Sequence, residues 1–254
     1  MLTPSVTELI NNLPKDAAIV ILTGAGVSQE SGVATFRDSN GLWENHRIEE
    51  VATPEAYQRN PQLVQTFYNA RRCQVVTVHP NKAHQALVQL EQQWKGKFLL
   101  VTQNVDDLHD RAGSKNLIHM HGELLKVECT QCRYIWHHTS DVAVYMNCIA
   151  CKKKGCVRPH IVWFGEMPLA MNRIEQALNG CDLFISIGTS GEVYFYYPYR
   201  REPSSAAKPA KRIKSKTVFG DSFTIETVPK FFRQGLVLTM DTQPLESPFE
   251  HRLH

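Results

Sequence analysis

Ala17-Ala18-Ile19-Val20-Ile21-Leu22, running into Thr23-Gly24-Ala25-Gly26, decides the reading of the fold. The run is apolar throughout and rich in β-branched side chains. It has no polar face, which is the pattern of a strand covered on both sides in a parallel sheet. The glycines end it sharply and let the backbone turn tightly and approach a ligand. Outward from this stretch, further strands are predicted at Phe98 to Thr102, Leu117 to Met120 and Leu183 to Ile187. Helical stretches such as Ala83 to Gln93 and Leu169 to Asn179 lie between them, and a short helix is expected over residues 6–13. Strands alternating with helices predict an α/β fold, an open, Rossmann-like parallel sheet. Such sheets bind ligands at the carboxyl ends of their strands, so the residues after each strand are the first candidates for a site.

Two segments break the alternation. Residues 44–80 read as helices and loops, and residues 127–157 hold two cysteine pairs and a Lys-rich turn. They are expected to form a smaller lobe, a helical insertion and a zinc-binding module. Residues 1–43, 81–126 and 158–254 would then build the large Rossmann-like domain. A composition of 43% hydrophobic and 21% charged residues is that of an ordinary globular chain with a sizeable core. The net charge of +3 gives no global basic field for nucleic acid. The charge is uneven, however: residues 200–216 carry seven Lys or Arg against Glu202 alone. No apolar run approaches the ~20 residues that span a bilayer. The first residues lack the marks of a secretory signal or transit peptide. The expectation is a cytoplasmic protein without a membrane partner.

Seven cysteines include two C-x-x-C pairs, Cys129/Cys132 and Cys148/Cys151. That spacing fits one structural zinc ion, held by four thiolates with no open position. Cys156 is an alternative ligand; Cys151 is preferred because it keeps the pairing on both sides. Cys73 and Cys181 are expected to be unliganded. Elsewhere, Leu117-Ile118-His119-Met120-His121-Gly122 reads as a strand ending at Gly122. His121, at its carboxyl end, suits a general base, and His119 reads as structural. Gln103, Asn104 and Asp106 follow another strand, and serve either a ribose and carboxamide or only a polar loop with a helix cap. Tyr68 and Arg71 lie three apart on a helix face, where a phenol and a guanidinium can clamp a carboxylate or simply face solvent.

A lone Gly-x-Gly is equally a plain tight turn; its continuation narrows the reading. Gly24-Ala25-Gly26-Val27-Ser28-x-Glu30-Ser31-Gly32 leads into Thr35-Phe36-Arg37, with Trp43 downstream, supplying a cation and aromatics near phosphate-seeking N–H groups. This stretch resembles the first signature of the sirtuin family. Thr102-Gln103-Asn104-Val105-Asp106-x-Leu108-His109 resembles the second, His121-Gly122 the third and Gly188-Thr189-Ser190 the fourth, in family order, over about residues 17–194. Tyr68-x-x-Arg71 and Ala52-Thr53-Pro54 resemble the bacterial class III members, which remove succinyl, malonyl or similar acyl groups from lysine.

The resemblance implies an NAD-dependent protein lysine deacylase that transfers the acyl group to ADP-ribose and releases nicotinamide. His121 would take a proton from a ribose hydroxyl. Gly24, Ala25, Gly26, Ser28, Glu30, Thr35, Phe36, Arg37, Trp43, Gln103, Asn104, Asp106, Gly188, Thr189 and Ser190 would hold NAD. The acyl-lysine peptide of a protein substrate would add along Arg158-Pro159-His160-Ile161-Val162-Trp163-Phe164-Gly165-Glu166, with Val162, Trp163 and Phe164 walling the lysine tunnel and Tyr68 and Arg71 holding the acyl group. After Tyr194 the likeness fails: residues 195–254 are a divergent end or the product of a shifted reading frame. A parallel sheet that lost its last strands would expose an edge. Two other readings stand beside this one. An ADP-ribosyltransferase would share the cofactor site, but would leave Tyr68 and Arg71 unexplained. A non-enzymatic zinc module would bind nucleic acid through residues 200–216; a solvated, disordered segment accounts for that stretch better.

Overall fold

A computed structural model describes residues 13–33 and 46–189, with the backbone alone at 42–43, 212–216, 222–227 and 236–241. The expected helix over 6–13 lies outside the described residues except at its last residue. β1 (Ile19–Thr23) is central in a seven-stranded sheet. β4 (Phe98–Thr102) lies parallel on one side of it, followed by β5 (Leu117–His119). β9 (Leu183–Ile187) lies parallel on the other side. Side chains alternate across a strand, so Ile19 and Ile21 enter one core with Leu87 and Leu183, while Val20 and Leu22 enter the opposite one with Ile174. Both faces are buried, which is why β1 carries no polar alternation. α5 (Lys82–Gln93) covers the first face and α7 (Met171–Asn179) the second. Each runs nearly as the periodicity predicts. α7 starts two residues later than expected, behind Ala170 in a left-handed conformation.

The sheet does not end at β9. β10 (Arg212–Lys216), β11 (Ser222–Thr227) and β12 (Leu236–Asp241) continue it, with β12 parallel to β9 and the other two antiparallel. The expected bare edge next to β9 is therefore covered, and the basic residues Arg212 to Lys216 are paired backbone rather than disordered chain. The rest of the basic stretch, 200–211, lies outside the described residues.

The smaller lobe has two parts. β2 (Leu42–Trp43) and β3 (His46–Arg47) form a short ribbon before α2 (Ile48–Val51), α3 (Pro54–Arg59) and α4 (Pro61–Val75). Thr53 and Asn60 cap the last two helices, accepting from the amides of Ala56 and Leu63, each followed by a proline at the first helical position. The second part is a three-stranded antiparallel sheet of β6 (Gly122–Cys129), β7 (Ile135–His137) and β8 (Val157–Ile161). The expected module boundaries, 127 and 157, fall within β6 and at the start of β8. Val64, Phe67, Tyr68, Leu124, Leu125, Ile161 and Trp163 share one apolar core, so the helices and this sheet pack as a single lobe.

Candidate active site

β1, β4, β5 and β9 all point their carboxyl ends to the same edge, and sequence order reverses between β1 and β9. This is the topological switch point at which open α/β sheets bind ligands. The glycine loop sits there, leading into α1 (Gly26–Gln29). Gly24 donates its amide to Ile187 O at 3.0 Å and Gly26 to Gly188 O at 2.9 Å. The amides of Gly24 and Gly26 thus fasten the loop to the end of β9, so these two are not among the free N–H groups expected at the loop or the helix start after it. The glycines are required by proximity. A Cβ on Gly24 would lie 2.7 Å from Gly188 O, and Gly188 has φ +65° with no room for a side chain beside the Val27 amide. Ala25 is half-buried, Glu30 is exposed at the end of α1, and Thr189 is buried against Gly24. Thr35, Phe36, Arg37 and Ser190 lie outside the described residues, and Trp43 is described only in its backbone.

The loop after β4 brings polar groups to α1. Ser28 donates to an Asp106 oxygen at 2.9 Å and accepts from the Asn104 amide at 3.0 Å, all three side chains being buried. The second Asp106 oxygen accepts from the Leu108 amide at 3.1 Å, at the start of α6 (Leu108–Ala112). The N-cap of this helix is Asp107, whose side chain makes no capping bond; Asp106 stands one residue before it, and the same carboxylate also faces Ser28. Burial raises the Asp106 pKa, with its hydrogen bonds opposing the shift. Beneath, Thr23 Oγ1 and His109 Nε2 lie 3.0 Å apart. The sequence marked Thr23 only as the end of β1 and His109 only as part of the second motif, with nothing to pair them.

β5 ends at His119, two residues before His121, which stands on the turn into β6. Gly122 closes this turn at φ +84°, where a Cβ would collide with the His160 carbonyl. His121 Nδ1 lies 3.1 Å from Gln103 O. A carbonyl only accepts, so Nδ1 carries the proton and Nε2 keeps a lone pair, the arrangement a base requires. Burial lowers the His121 pKa, partly offset by the Gln103 carbonyl. His119 behaves oppositely: burial works against its charge, but Asp110, 2.8 Å from its Nε2, outweighs burial and raises its pKa. The peptide segment expected beside the site is tied to it, with Val162 N donating to His121 O at 2.8 Å and Phe164 N to Ala52 O at 3.0 Å.

Tyr68 and Arg71 share a face of α4, and that face is not solvated. Tyr68 is fully buried, its hydroxyl accepts from Trp163 Nε1 at 3.0 Å, and Arg71 lies 5.3 Å from the Phe67 ring centroid. Burial, the largest influence, holds the Tyr68 phenol well above its usual range. Trp163 is buried, Val162 half-buried and Phe164 exposed, so the three expected wall residues have different surroundings.

In the module, the sulfur atoms of Cys129, Cys132, Cys148 and Cys151 lie within 4.8 Å of one another. This donor set fits one tetrahedral zinc ion. Cys156 is 3.4 Å from Cys129 but donates to Lys153 O at 3.1 Å, outside the four-sulfur group. Cys181 donates to Leu178 O within the core, and Cys73 is exposed.

Comparisons with known proteins agree. Residues 24–195 match the family model described as Sir2 family. The chain is 55% identical to an NAD-dependent protein deacylase of Bdellovibrio bacteriovorus over 226 residues, covering 86% of this chain and 96% of that one. It is 58% identical to one of Pasteurella multocida over 184 residues, 72% of this chain and 79% of that protein. Among solved structures, a Sir2 homologue in complex with NAD is 42% identical with a TM-score of 0.63 over 71% of each chain. A Sir2 protein bound to acetylated peptide is 28% identical with a TM-score of 0.62, covering 75% of this chain and 78% of that one.

Proposed function

Since the chain belongs to the Sir2 family, with the family model spanning residues 24–195, we propose that it is an NAD-dependent protein lysine deacylase that favours acidic acyl groups and also accepts acetyl. One observation carries this reading: His121, Gln103, Asn104, Asp106 and Ser28 converge at the carboxyl edge of the sheet beside the switch point. When bound, NAD⁺ supplies an electrophilic ribose carbon and the hydroxyls that receive the acyl group. The protein's part is orientation and proton handling. Asp106 and Asn104 offer an acceptor and an amide to the ribose and carboxamide, steadied by Ser28. Gly24, Gly26 and Gly188 hold the loop tightly against the end of β9; Ala25, Thr189, Glu30, Thr35, Phe36, Arg37, Trp43 and Ser190 belong to the same proposed pocket. His121 accepts a ribose hydroxyl proton at Nε2, its Nδ1–H held by Gln103 O.

The acyl preference is supported by a phenol buried in the core that includes Trp163 and a half-buried guanidinium three residues on. Tyr68 donates a hydrogen bond and Arg71 a charge to the distal carboxylate. The acyl-lysine peptide of a protein substrate adds by its main chain along residues 158–166, where β8 is an edge strand, a mode that reads little sequence. Zinc, held by Cys129, Cys132, Cys148 and Cys151, is structural. No helix among the described residues is long and apolar enough to cross a membrane. A cytoplasmic location is part of the same reading, since a four-thiol site needs reducing surroundings.

The test is NAD⁺-dependent release of lysine from succinyl-lysine and acetyl-lysine peptides. Wild type turns over both, His121→Ala loses at least ~100-fold on both, and Arg71→Met loses the succinyl reaction at least ~10-fold more than the acetyl one. No turnover of either peptide by the wild type would refute the deacylase reading. Equal losses in Arg71→Met would refute the acidic preference alone.

A further inference from the structure

Arg158 lies on β8 and is 8% exposed, an unusual place for a guanidinium without a task. Its two terminal nitrogens donate to the two Glu166 oxygens at 2.7 and 2.9 Å, and one of them also donates to Ile161 O at 2.8 Å. Glu128, its register partner on β6, lies 3.8 Å from Nε. The guanidinium sits over the Trp163 ring, 3.5 Å from the centroid. Glu166 completes the grip by accepting the Trp163 backbone N–H at 2.8 Å. Trp163 is thus held by ring face and by backbone, and its indole N–H reaches Tyr68 Oη at 3.0 Å.

Desolvation offsets most of the attraction in a buried ion pair, so stability explains this network poorly; fixed geometry explains it better. A planar, bidentate guanidinium that also stacks on an aromatic ring fixes orientation in a way an ammonium cannot. An indole N–H can only donate, so it occupies a lone pair of Tyr68 Oη and turns the phenol proton away from Trp163. Burial keeps that phenol protonated.

We infer that Arg158 is a positioning residue for acyl-chain selection: with Glu166 it locks Trp163, and Trp163 aims the Tyr68 proton at the acyl carboxylate. The inference rests on the proposed carboxylate clamp. Because Glu128 precedes Cys129, the same network links the metal module to the acyl pocket.

The experiment is steady-state kinetics of the full-length, zinc-loaded protein on succinyl-lysine and acetyl-lysine peptides, with the melting temperature of each variant recorded. Trp163→Phe, which keeps an aromatic ring but removes the indole N–H together with the second ring, is expected to lower the succinyl-to-acetyl ratio of kcat/KM about tenfold, the worth of the Tyr68 hydrogen bond to the charged carboxylate that Trp163 aims. The loss falls mainly on the succinyl KM. Arg158→Met is expected to do the same, and Arg158→Lys to recover part of it. If Arg158→Met does not fold, Trp163→Phe and Arg158→Lys decide. Equal loss on both substrates, or an unchanged ratio in folded Trp163→Phe and Arg158→Lys while Tyr68→Phe lowers it, overturns the positioning role and leaves the clamp standing. An unchanged ratio in Tyr68→Phe as well overturns both.

Discussion

His119 and His121 are two residues apart and their pKa values move in opposite directions, because only His119 has a carboxylate beside it. Position in the sequence singled out His121 at the end of the strand; the Asp110 contact gives the difference between the two its electrostatic reason. His119 holds its proton more readily than an ordinary histidine, against Asp110. His121 sheds its proton more readily than an ordinary histidine, and a base must be neutral to act. As pH falls through the His121 pKa, the protonated fraction rises and the rate declines. The acid limb of kcat/KM against pH is therefore expected to have its midpoint below the ordinary histidine value of about 6.5. A midpoint above that value would mean that the Gln103 contact, or another group, governs the proton. Neither would be visible without the fold, since Gln103 is 18 residues from His121 in the chain.

At the scale of elements, the junction of β1 and β9 is the most constrained part of the site. The glycine loop is pinned by two backbone bonds to Ile187 and Gly188, and the two chain segments approach too closely for side chains. Gly188 also adopts φ +65°, which costs a residue with a Cβ about 1–2 kcal/mol before any collision is counted. Gly188→Ala is expected to lower stability by at least about 2 kcal/mol in urea unfolding and to weaken NAD⁺ binding measured by calorimetry. Unchanged stability would show that the loop can shift away from β9. The Gly-x-Gly signal was legible in sequence, but its reason differs from the one expected. The amides of Gly24 and Gly26 face β9, and the requirement for glycine comes from a strand more than 150 residues away in the chain.

Across the whole molecule, the two lobes depend on different forces. The large sheet has an apolar core on each face, in line with the apolar runs of its strands. The metal module's own core is Val127, Val142, Val157 and three cysteines, Cys129, Cys148 and Cys156. So small a core leaves folding of the module to the metal. One zinc per chain is expected by metal analysis. Cys151→Ser should lose it and Cys156→Ser should keep it; the reverse result would move Cys156 into the ligand set. Chelation should unfold the module and, through Glu128 and Arg158, reduce acyl selectivity before the large sheet melts.

Local composition alone determined the parallel sheet, the two helices that cover it, and the four cysteines that the fold gathers into one cluster. Strand burial, helical periodicity and C-x-x-C spacing are all written within a few residues of one another. The resemblance added candidate roles for His121, Asn104, Asp106, Tyr68 and Arg71. Only the tertiary structure decided what those residues touch. It joined Ser28 to Asp106 across 78 positions and Tyr68 to Trp163 across 95. It set Arg158 on Trp163, and it placed β12 against β9 where the sequence suggested a bare edge. Such contacts depend on which strands become neighbours, a property of sheet order that no short window of sequence contains.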